Sequence, residues 1–192
     1  MKKQQPAIKT PSDRRVQMFY LIRHGRTDYT QRNTKIYQGF GVQLSPLSAQ
    51  GIAQIKETAK DSRLQGADLI ISSPYTRALQ TAAILSKELG VDIAVETGLH
   101  EWLANKNYHY DDDETAHRSY WEYVENQGQY PDEAQRVWES ASMLRARALE
   151  VLAKYRGYQK VIVACHGMLI QAVTQGHLPD NGEIVPFEPF ES

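Results

Sequence analysis

The fold class is decided by the stretch Val161-Ile162-Val163-Ala164-Cys165-His166-Gly167. Five consecutive apolar residues with β-branched side chains among them predict a buried strand. A helical pattern begins directly after His166-Gly167, at Met168, and runs to about Gln175. A buried strand that leads at once into a helix is the repeating unit of α/β proteins.

The same alternation extends in both directions from this stretch. Upstream, the pattern predicts strands over 16–22, 69–71 and 91–95, and helices over 48–64, 75–89, 115–125 and 137–155. Ser48 is the expected N-cap of the first helix, and Gly90 is the stop signal of the second. A short final strand is expected over 184–187. Together these elements predict an α/β three-layer sandwich, with a mostly parallel sheet and helices on both faces.

The domain organisation follows from length and composition. The 192 residues suit one domain, and we find no internal repeat or low-complexity linker. We expect a disordered leader over 1–15 and a single domain over 16–192, with a small cap or lid insertion at about 100–132. That insertion is rich in tyrosine and tryptophan. Its aromatic residues are either the core of the cap or the wall of a substrate pocket, and the sequence leaves both interpretations open.

Composition also narrows the range of partners. A formal net charge of −1 gives no overall attraction to nucleic acid, and no apolar run approaches the length that spans a bilayer. The single cysteine, Cys165, excludes an internal disulfide and a cysteine metal pair, and it favours a cytoplasmic protein. The acidic run Asp111–Glu114 lacks the spacing of a calcium loop and is predicted to be a solvated loop. The sequence does not indicate the oligomeric state.

Three of the predicted strands are followed by residues suited to phosphoryl chemistry. They are Arg23-His24-Gly25, Arg77 and His166-Gly167. The carboxyl ends of parallel strands meet at one edge of a sheet, where ligands bind in this architecture. Arginine forks pair with phosphate oxygens, and a neutral histidine can attack phosphorus. A neighbouring carboxylic acid would protonate the leaving group, and residue chemistry alone leaves open which histidine attacks.

These residues carry a family resemblance. The heptamer Leu21–Thr27 resembles the Arg-His-Gly signature of the histidine phosphatase superfamily, in its phosphoglycerate mutase-like branch. Further blocks that are similar to the family, in the same order, are Gln38-Gly39 with 44–51, Ser72–Ala82, Leu99-His100-Glu101, Cys165-His166-Gly167 and Asn181–Ile184. Several separate blocks in order make the resemblance specific.

The resemblance implies a division of roles. His24 would become the phosphohistidine, and Glu101 would be the proton donor and then the base for the hydrolytic water. The anion pocket would consist of Arg23, Arg77 and His166, with Gly25 and Thr30 as further phosphate-binding candidates. No metal or organic cofactor is implied.

Two departures from the family pattern bear on the substrate. Arg26 stands where many members carry an acidic residue or Gln, and Thr30 stands where many carry Asn. An extra arginine beside the pocket would favour a substrate with a second anionic group.

The segment after Glu101 bears on the reaction type. The residues after Glu101 are Trp102-Leu103-Ala104-Asn105. They lack the Arg-His-Tyr-Gly type of sequence found in the glycolytic mutases of this superfamily. We therefore predict a metal-independent phosphomonoesterase that acts on a small phosphorylated metabolite. The alternatives are a cofactor-dependent phosphoglycerate mutase and a catalytically silent protein that binds phosphorylated ligands. The intact set of His24, His166 and the two arginines disfavours the silent protein.

Overall fold

The computed structural model describes residues 17–132 and 134–188, so the predicted leader over 1–15 lies outside the described residues. The strands in this range are β1 (Met18–Arg23), β2 (Leu69–Ser72), β3 (Ile93–Val95), β4 (Lys160–Cys165) and β5 (Ile184–Phe187). The α-helices are α1 (Ala49–Thr58), α2 (Thr76–Leu89), α3 (Asp113–Glu125), α4 (Ala141–Ala153) and α5 (Gly167–Thr174). Short 3-10 helices lie at Lys35–Tyr37, Gly39–Leu44, Ser62–Leu64 and Thr97–Leu99.

The strands form one sheet in the order β3-β2-β4-β1-β5. β3, β2, β4 and β1 are parallel, and β5 runs antiparallel to β1 at the edge. The predicted mostly parallel sheet is therefore confirmed. It has the topology of an α/β fold, in which the crossover helices connect parallel strands.

The register of the strands brings the three sequence blocks suited to phosphoryl chemistry to one edge of the sheet. Arg23 pairs with Cys165, and Ser72 pairs with Ala164, so β1, β2 and β4 end at nearly the same level. The hydrogen bond from His24 N to Cys165 O, at 3.0 Å, extends the β1 pairing by one residue. The residues that follow these strands are thereby placed side by side at the carboxyl edge of the sheet.

Alternation along β4 divides the core into two layers. Val161, Val163 and Cys165 face one cluster, together with apolar residues of α4 and α5. Ile162 and Ala164 face the other cluster, which includes residues of α1 and α2. Each such fully buried aliphatic side chain contributes about 1.5–3 kcal/mol. Helices therefore cover both faces of the sheet, and the predicted three-layer sandwich is confirmed.

Two helices are shorter than their apolar patterns predict. α1 begins after the predicted cap Ser48, whose hydroxyl accepts from Gly51 N, but it ends at Thr58 and not near Leu64. A separate 3-10 turn follows, because the Asp61 carboxylate caps it by accepting from Arg63 N at 2.9 Å.

The second shortened helix, α4, begins at Ala141 and not at Val137. The Ser140 hydroxyl accepts from Met143 N at 3.3 Å and caps the helix there. The residues directly before the cap are not helical, and the Val137 carbonyl accepts from Lys106 N at 2.9 Å. The side chain of Val137 is exposed, so its apolar character was misleading in the helical pattern.

The predicted insertion contains α3 and a cluster of aromatic residues. Tyr123 and Trp138 are buried and pack edge to face, with Trp102 and Tyr130 against them, which fits the interpretation as a core. The acidic run was predicted to be a solvated loop, and this is wrong for its second half. Asp112 caps α3 through Thr115 N at 2.7 Å, so the acidic residues after it form the first helical turn, where they complement the helix dipole.

No helix within the described ranges is long and apolar enough to cross a lipid bilayer.

Candidate active site

His24 follows β1 directly, and its hydrogen bonds define the state of its ring. Nδ1 lies 2.8 Å from the carbonyl oxygen of Gly25. A carbonyl can only accept, so Nδ1 must carry the hydrogen. Nε2 then holds a lone pair, and it accepts a hydrogen bond from Arg77 Nε at 3.1 Å. Nε2 is therefore the nitrogen of this ring that can act as a nucleophile.

Burial keeps this ring neutral. Removal from water, together with the positive charges of Arg77 and Arg23, lowers the pKa of His24 from its ordinary value to about 3. The carbonyl of Gly25 opposes these effects only partly. At neutral pH the nucleophilic form of His24 is consequently present without any separate base.

Two arginines surround the ring. Arg77 lies in the first turn of α2 and is buried, and its Nη1 donates to Gln43 Oε1 at 2.8 Å. Arg23 is the last residue of β1, and its Nη1 donates to the carbonyl of Pro179 at 2.7 Å. Arg23 Nε is buried and has no hydrogen-bond partner within the described residues. Buried donors are nearly always paired, so this group is suited to bind an oxyanion.

His166 lies next to His24 at the start of α5. The two ring centroids are 5.2 Å apart in an edge-to-face arrangement. Nε2 of His166 lies 2.7 Å from the hydroxyl oxygen of Ser73, whereas Nδ1 is buried without a partner in the described part of the chain. Two effects hold the pKa of His166 well below its ordinary value. Complete burial of the ring is the larger, and the positive charge of Arg77 is the next.

Glu101 faces the same cavity from a loop. Residues Arg23, His24, Arg77 and Glu101 all line a cavity of ≈ 960 Å³. The Glu101 carboxylate accepts from Met168 N at 3.3 Å and from Leu169 N at 3.2 Å. These N–H groups belong to the first turn of α5, where helix geometry leaves donors free to bind a negative charge.

Gly25, directly after His24, packs closely against α1. The N–H donates to Thr81 Oγ1 at 3.2 Å. A Cβ atom at Gly25 would lie 2.6 Å from the carbonyl oxygen of Gly51 in α1, which excludes any side chain without movement. Gly25 therefore permits a close approach between the end of β1 and α1, and its contact with phosphate stays a prediction.

The outer part of the cavity is formed by polar residues after Gly25. Thr30 lines the rim and is exposed, and its backbone N–H donates to Asp28 Oδ1 at 2.9 Å. Arg26 also lines the cavity, and its Nη1 donates to Gln50 Oε1 at 2.8 Å. The guanidinium of Arg26 is exposed, so it can reach a substrate group outside the buried pocket.

Three residues of the site were missed at the level of sequence. Ser73 contacts His166, but the strand end at Ser-Ser-Pro and the family-like block Ser72–Ala82 gave it no role of its own. Gln43 holds Arg77, and nothing in its loop indicates this contact. Asn181 donates to the carbonyl oxygen of His24 at 2.8 Å. It belongs to a block that resembles the family, and that was its only signal.

Metal ligands are not gathered near this site. Among residues 17–132 and 134–188, no group of three or more His, Cys, Asp or Glu side chains could hold a metal ion. Cys165, at the end of β4, is fully buried, and burial raises the pKa of its thiol far above the ordinary value. The thiol is therefore a packing group at neutral pH.

Comparison with known families agrees with this arrangement. The model of the histidine phosphatase superfamily (branch 1) matches residues 19–183, which is most of the chain. The chain belongs to the histidine phosphatase superfamily. The resemblance of its motifs is thereby confirmed, and the protein is an enzyme of the phosphatase type.

Similar proteins include both phosphatases and mutases. A putative phosphoserine phosphatase 2 of Hydrogenobacter thermophilus is 28% identical over 158 residues, covering 80% of this chain and 75% of that protein. A probable phosphoglycerate mutase, GpmB, of Enterobacter sp. strain 638 is 36% identical over 83 residues, covering 43% of this chain and only 36% of that protein.

Among solved structures, a mycobacterial glucosyl-3-phosphoglycerate phosphatase superposes with a TM-score of 0.64 at 22% identity, covering 89% of each chain. A phosphoglycerate mutase from Bacillus anthracis superposes with a TM-score of 0.65 at 17% identity, covering 92% of this chain and 89% of that one. At these identities, the superpositions show a shared fold.

Proposed function

We propose that this protein is a metal-independent phosphomonoesterase that acts through a phosphohistidine on His24. The observation that carries the proposal is the pair of hydrogen bonds on the His24 ring. One bond fixes the hydrogen on Nδ1, and the other holds Nε2 beside the guanidinium of Arg77. A neutral nucleophile next to a permanent positive charge is the arrangement that phosphoryl transfer requires.

The first step is attack by Nε2 of His24 on phosphorus. The N–P bond forms as the bond between phosphorus and the ester oxygen breaks. Arg23, Arg77 and His166 donate hydrogen bonds to the phosphoryl oxygens, where negative charge is spread in the transition state. Glu101, in its protonated form, transfers its proton to the departing ester oxygen, which leaves as an alcohol.

The second step reverses these roles. The Glu101 carboxylate takes a proton from a water molecule as the water oxygen attacks the phosphohistidine. The N–P bond breaks, inorganic phosphate is released, and His24 returns to its neutral form. Glu101 ends the cycle protonated, so the two steps balance without a metal or an organic cofactor.

We further propose that the substrate is a small metabolite with a second anionic group. Arg26 supports this, because its exposed guanidinium lines the same cavity as His24. Phosphoserine and glucosyl-3-phosphoglycerate, the compounds in the names of two similar proteins, each carry a carboxylate beside the phosphate. An Arg26→Gln variant should raise KM for such a substrate and leave KM for p-nitrophenyl phosphate nearly unchanged.

Nucleic acid and membranes are not expected partners. The near-neutral net charge supports this proposal, as it did at the level of sequence. A cytoplasmic location remains a prediction that rests on the single cysteine.

The test is an assay of phosphate release with EDTA present and no added metal. p-Nitrophenyl phosphate and a panel of phosphorylated metabolites would be tested with the natural protein and with His24→Ala. Metal-independent release that is lost in His24→Ala is the expected result. Isomerisation of 3-phosphoglycerate in the presence of 2,3-bisphosphoglycerate, without phosphate release, would instead establish the mutase. Binding of phosphorylated compounds with neither reaction would establish the silent binding protein.

A further inference from the structure

The loop that carries Glu101 is bound to α4 through one arginine. Arg147 lies in the middle of α4, and its Nη1 donates to the carbonyls of Gly98 at 2.7 Å and His100 at 2.8 Å. Its Nη2 lies 3.3 Å from the carbonyl oxygen of Glu101 itself. A single guanidinium therefore holds the backbone on both sides of the Glu101 side chain.

Glu139 completes this contact from the other side. Its carboxylate pairs with Arg147 through Nε at 2.6 Å and Nη2 at 3.0 Å, in a bidentate arrangement. Glu139 also binds the segment after Glu101, because its backbone N–H donates to the Leu103 carbonyl at 3.0 Å and its own carbonyl accepts from Trp102 Nε1 at 2.7 Å. Glu139 is buried, so the pair is shielded from solvent.

Close packing leaves this loop little freedom. A Cβ atom at Gly98 would lie 2.7 Å from Cγ2 of Val151 in α4, so the loop approaches the helix as closely as glycine permits. Leu99 is fully buried in the same core cluster as Val151. Neither Arg147 nor Glu139 lines the cavity that contains His24. Among the described residues, the hydrogen bonds of Arg147 and Glu139 reach that cavity through the loop.

We propose that Arg147 and Glu139 are positioning residues that hold Glu101 in place for proton transfer to the leaving group. The inference rests on the proposed function, in which Glu101 is the proton donor. Glu101 lies on an irregular loop, whereas the other groups of the site lie at strand and helix ends. Its backbone must therefore be held by long-range contacts. A displacement of about 1 Å at a catalytic group can lower the rate about 100-fold.

Leaving-group dependence provides the test. An alkyl phosphate needs a proton on its departing oxygen, whereas p-nitrophenolate departs as a stable anion. We expect Arg147→Lys and Glu139→Gln each to lower kcat/KM for an alkyl phosphate about 10- to 100-fold, and for p-nitrophenyl phosphate less than about threefold. Glu101→Gln should show the same selectivity with a larger loss on the alkyl phosphate.

A double variant separates positioning from general stability. If Arg147 acts only through Glu101, then Arg147→Lys should cause no further loss on the alkyl phosphate in a Glu101→Gln background. Leu152→Ala is the matched control, because Leu152 is a buried core residue of α4 with no hydrogen bond to the loop. This control should lower the melting temperature without changing the ratio of kcat/KM between the two esters.

Several outcomes would overturn the inference. One is an equal loss of kcat/KM on both esters in Arg147→Lys and Glu139→Gln. Another is a full additional loss of kcat/KM when Arg147→Lys is combined with Glu101→Gln. The third is a changed ratio of kcat/KM between the two esters in Leu152→Ala. If Glu101→Gln itself shows no selectivity, then Glu101 is not the proton donor and the inference fails while hydrolysis through His24 stands. If His24→Ala retains the activity of the natural protein, both the proposed function and the inference fail.

Discussion

The two halves of the active site are held in place by different means. His24, Arg77 and His166 lie at the ends of strands or in the first turn of a helix, so the sheet register and the helix starts determine where their backbones lie. Glu101 lies on a loop that is held by Arg147, 46 residues further along the chain. The proposed anion pocket therefore faces a proposed proton donor, Glu101, whose position depends on distant contacts. The predictions below test this difference between the two halves of the site.

The largest effect is expected from the anion pocket. Arg77→Ala removes both the charge beside His24 and the donor to its Nε2. We expect kcat/KM to fall at least about 1,000-fold with any phosphate ester, because the lost interaction is with phosphoryl oxygens and not with the leaving group. Arg77→Lys should recover only part of the activity, since a point charge cannot replace the planar fork. A loss below about tenfold would contradict the assigned role.

A smaller effect is expected where β1 meets α1. Gly25→Ala places a Cβ atom 2.6 Å from the Gly51 carbonyl oxygen, and backbone must move to accommodate it. We expect a loss of about 1–3 kcal/mol in the free energy of unfolding and a loss of about 100-fold in activity, since His24 is the adjacent residue. Urea unfolding and a phosphatase assay would measure both. The glycine Gly157, which has open space around it, is the matched control, and Gly157→Ala should leave activity unchanged.

Much of the half that holds His24 could be predicted from sequence. The strands, the helices after them and their shared edge follow from apolar runs and from the geometry of parallel sheets. The burial of β4 and the cap at Ser48 were also correct, because local patterns determine both. The choice of His24 over His166 did not follow from residue chemistry. It came from the family resemblance, and the hydrogen bonds on the His24 ring now provide a physical reason for it.

The other half was less predictable. Arg147 and Glu139 fall in the stretch that was predicted as one long amphipathic helix, where charged residues are usually solvent-facing. The helix does not extend back through Trp138 and Ser140, and this non-helical stretch places Glu139 against the Glu101 loop. Contacts between residues this far apart leave no periodic trace in a single sequence. The roles of Gln43 and Ser73 were missed for the same reason, whereas the Asp112 cap of α3 is a local signal that was read as part of a loop.

The burial of the histidines predicts a pH-dependent stability. The pKa values of His24 and His166 are lowered in the folded state, so below the ordinary value of 6.5 the unfolded chain binds protons that the folded chain does not. Stability is then fully present above pH 6.5 and falls as the pH is lowered, by about 1.4 kcal/mol per pH unit for each such histidine.

Urea unfolding at pH 6.5, 5.5 and 4.5 would measure this slope. His100, whose pKa burial also lowers, adds to it. In His24→Ala, the loss of stability per pH unit should be smaller by the contribution of one histidine. A stability that does not change between pH 6.5 and 4.5 would show that the histidines are protonated in the folded protein, and it would contradict the neutral nucleophile.

The smallest effect concerns Cys165, which lies directly before His166. Because the thiol is fully buried and its pKa is raised, we expect no reaction with a thiol reagent under native conditions and complete reaction after unfolding. Cys165→Ala should retain most of the activity. Rapid labelling of the folded protein would show that this strand end is open to solvent, contrary to the complete burial of the thiol.

The central claim is that Nε2 of His24 forms a covalent bond to phosphorus. The most direct measurement is to mix the enzyme with a phosphate ester labelled in its phosphoryl group, quench in alkali within milliseconds, and locate the label by mass spectrometry of the peptides. We expect label on His24, no label on His166, and no label in His24→Ala. Label on His166, or turnover by the enzyme without any labelled histidine, would contradict it.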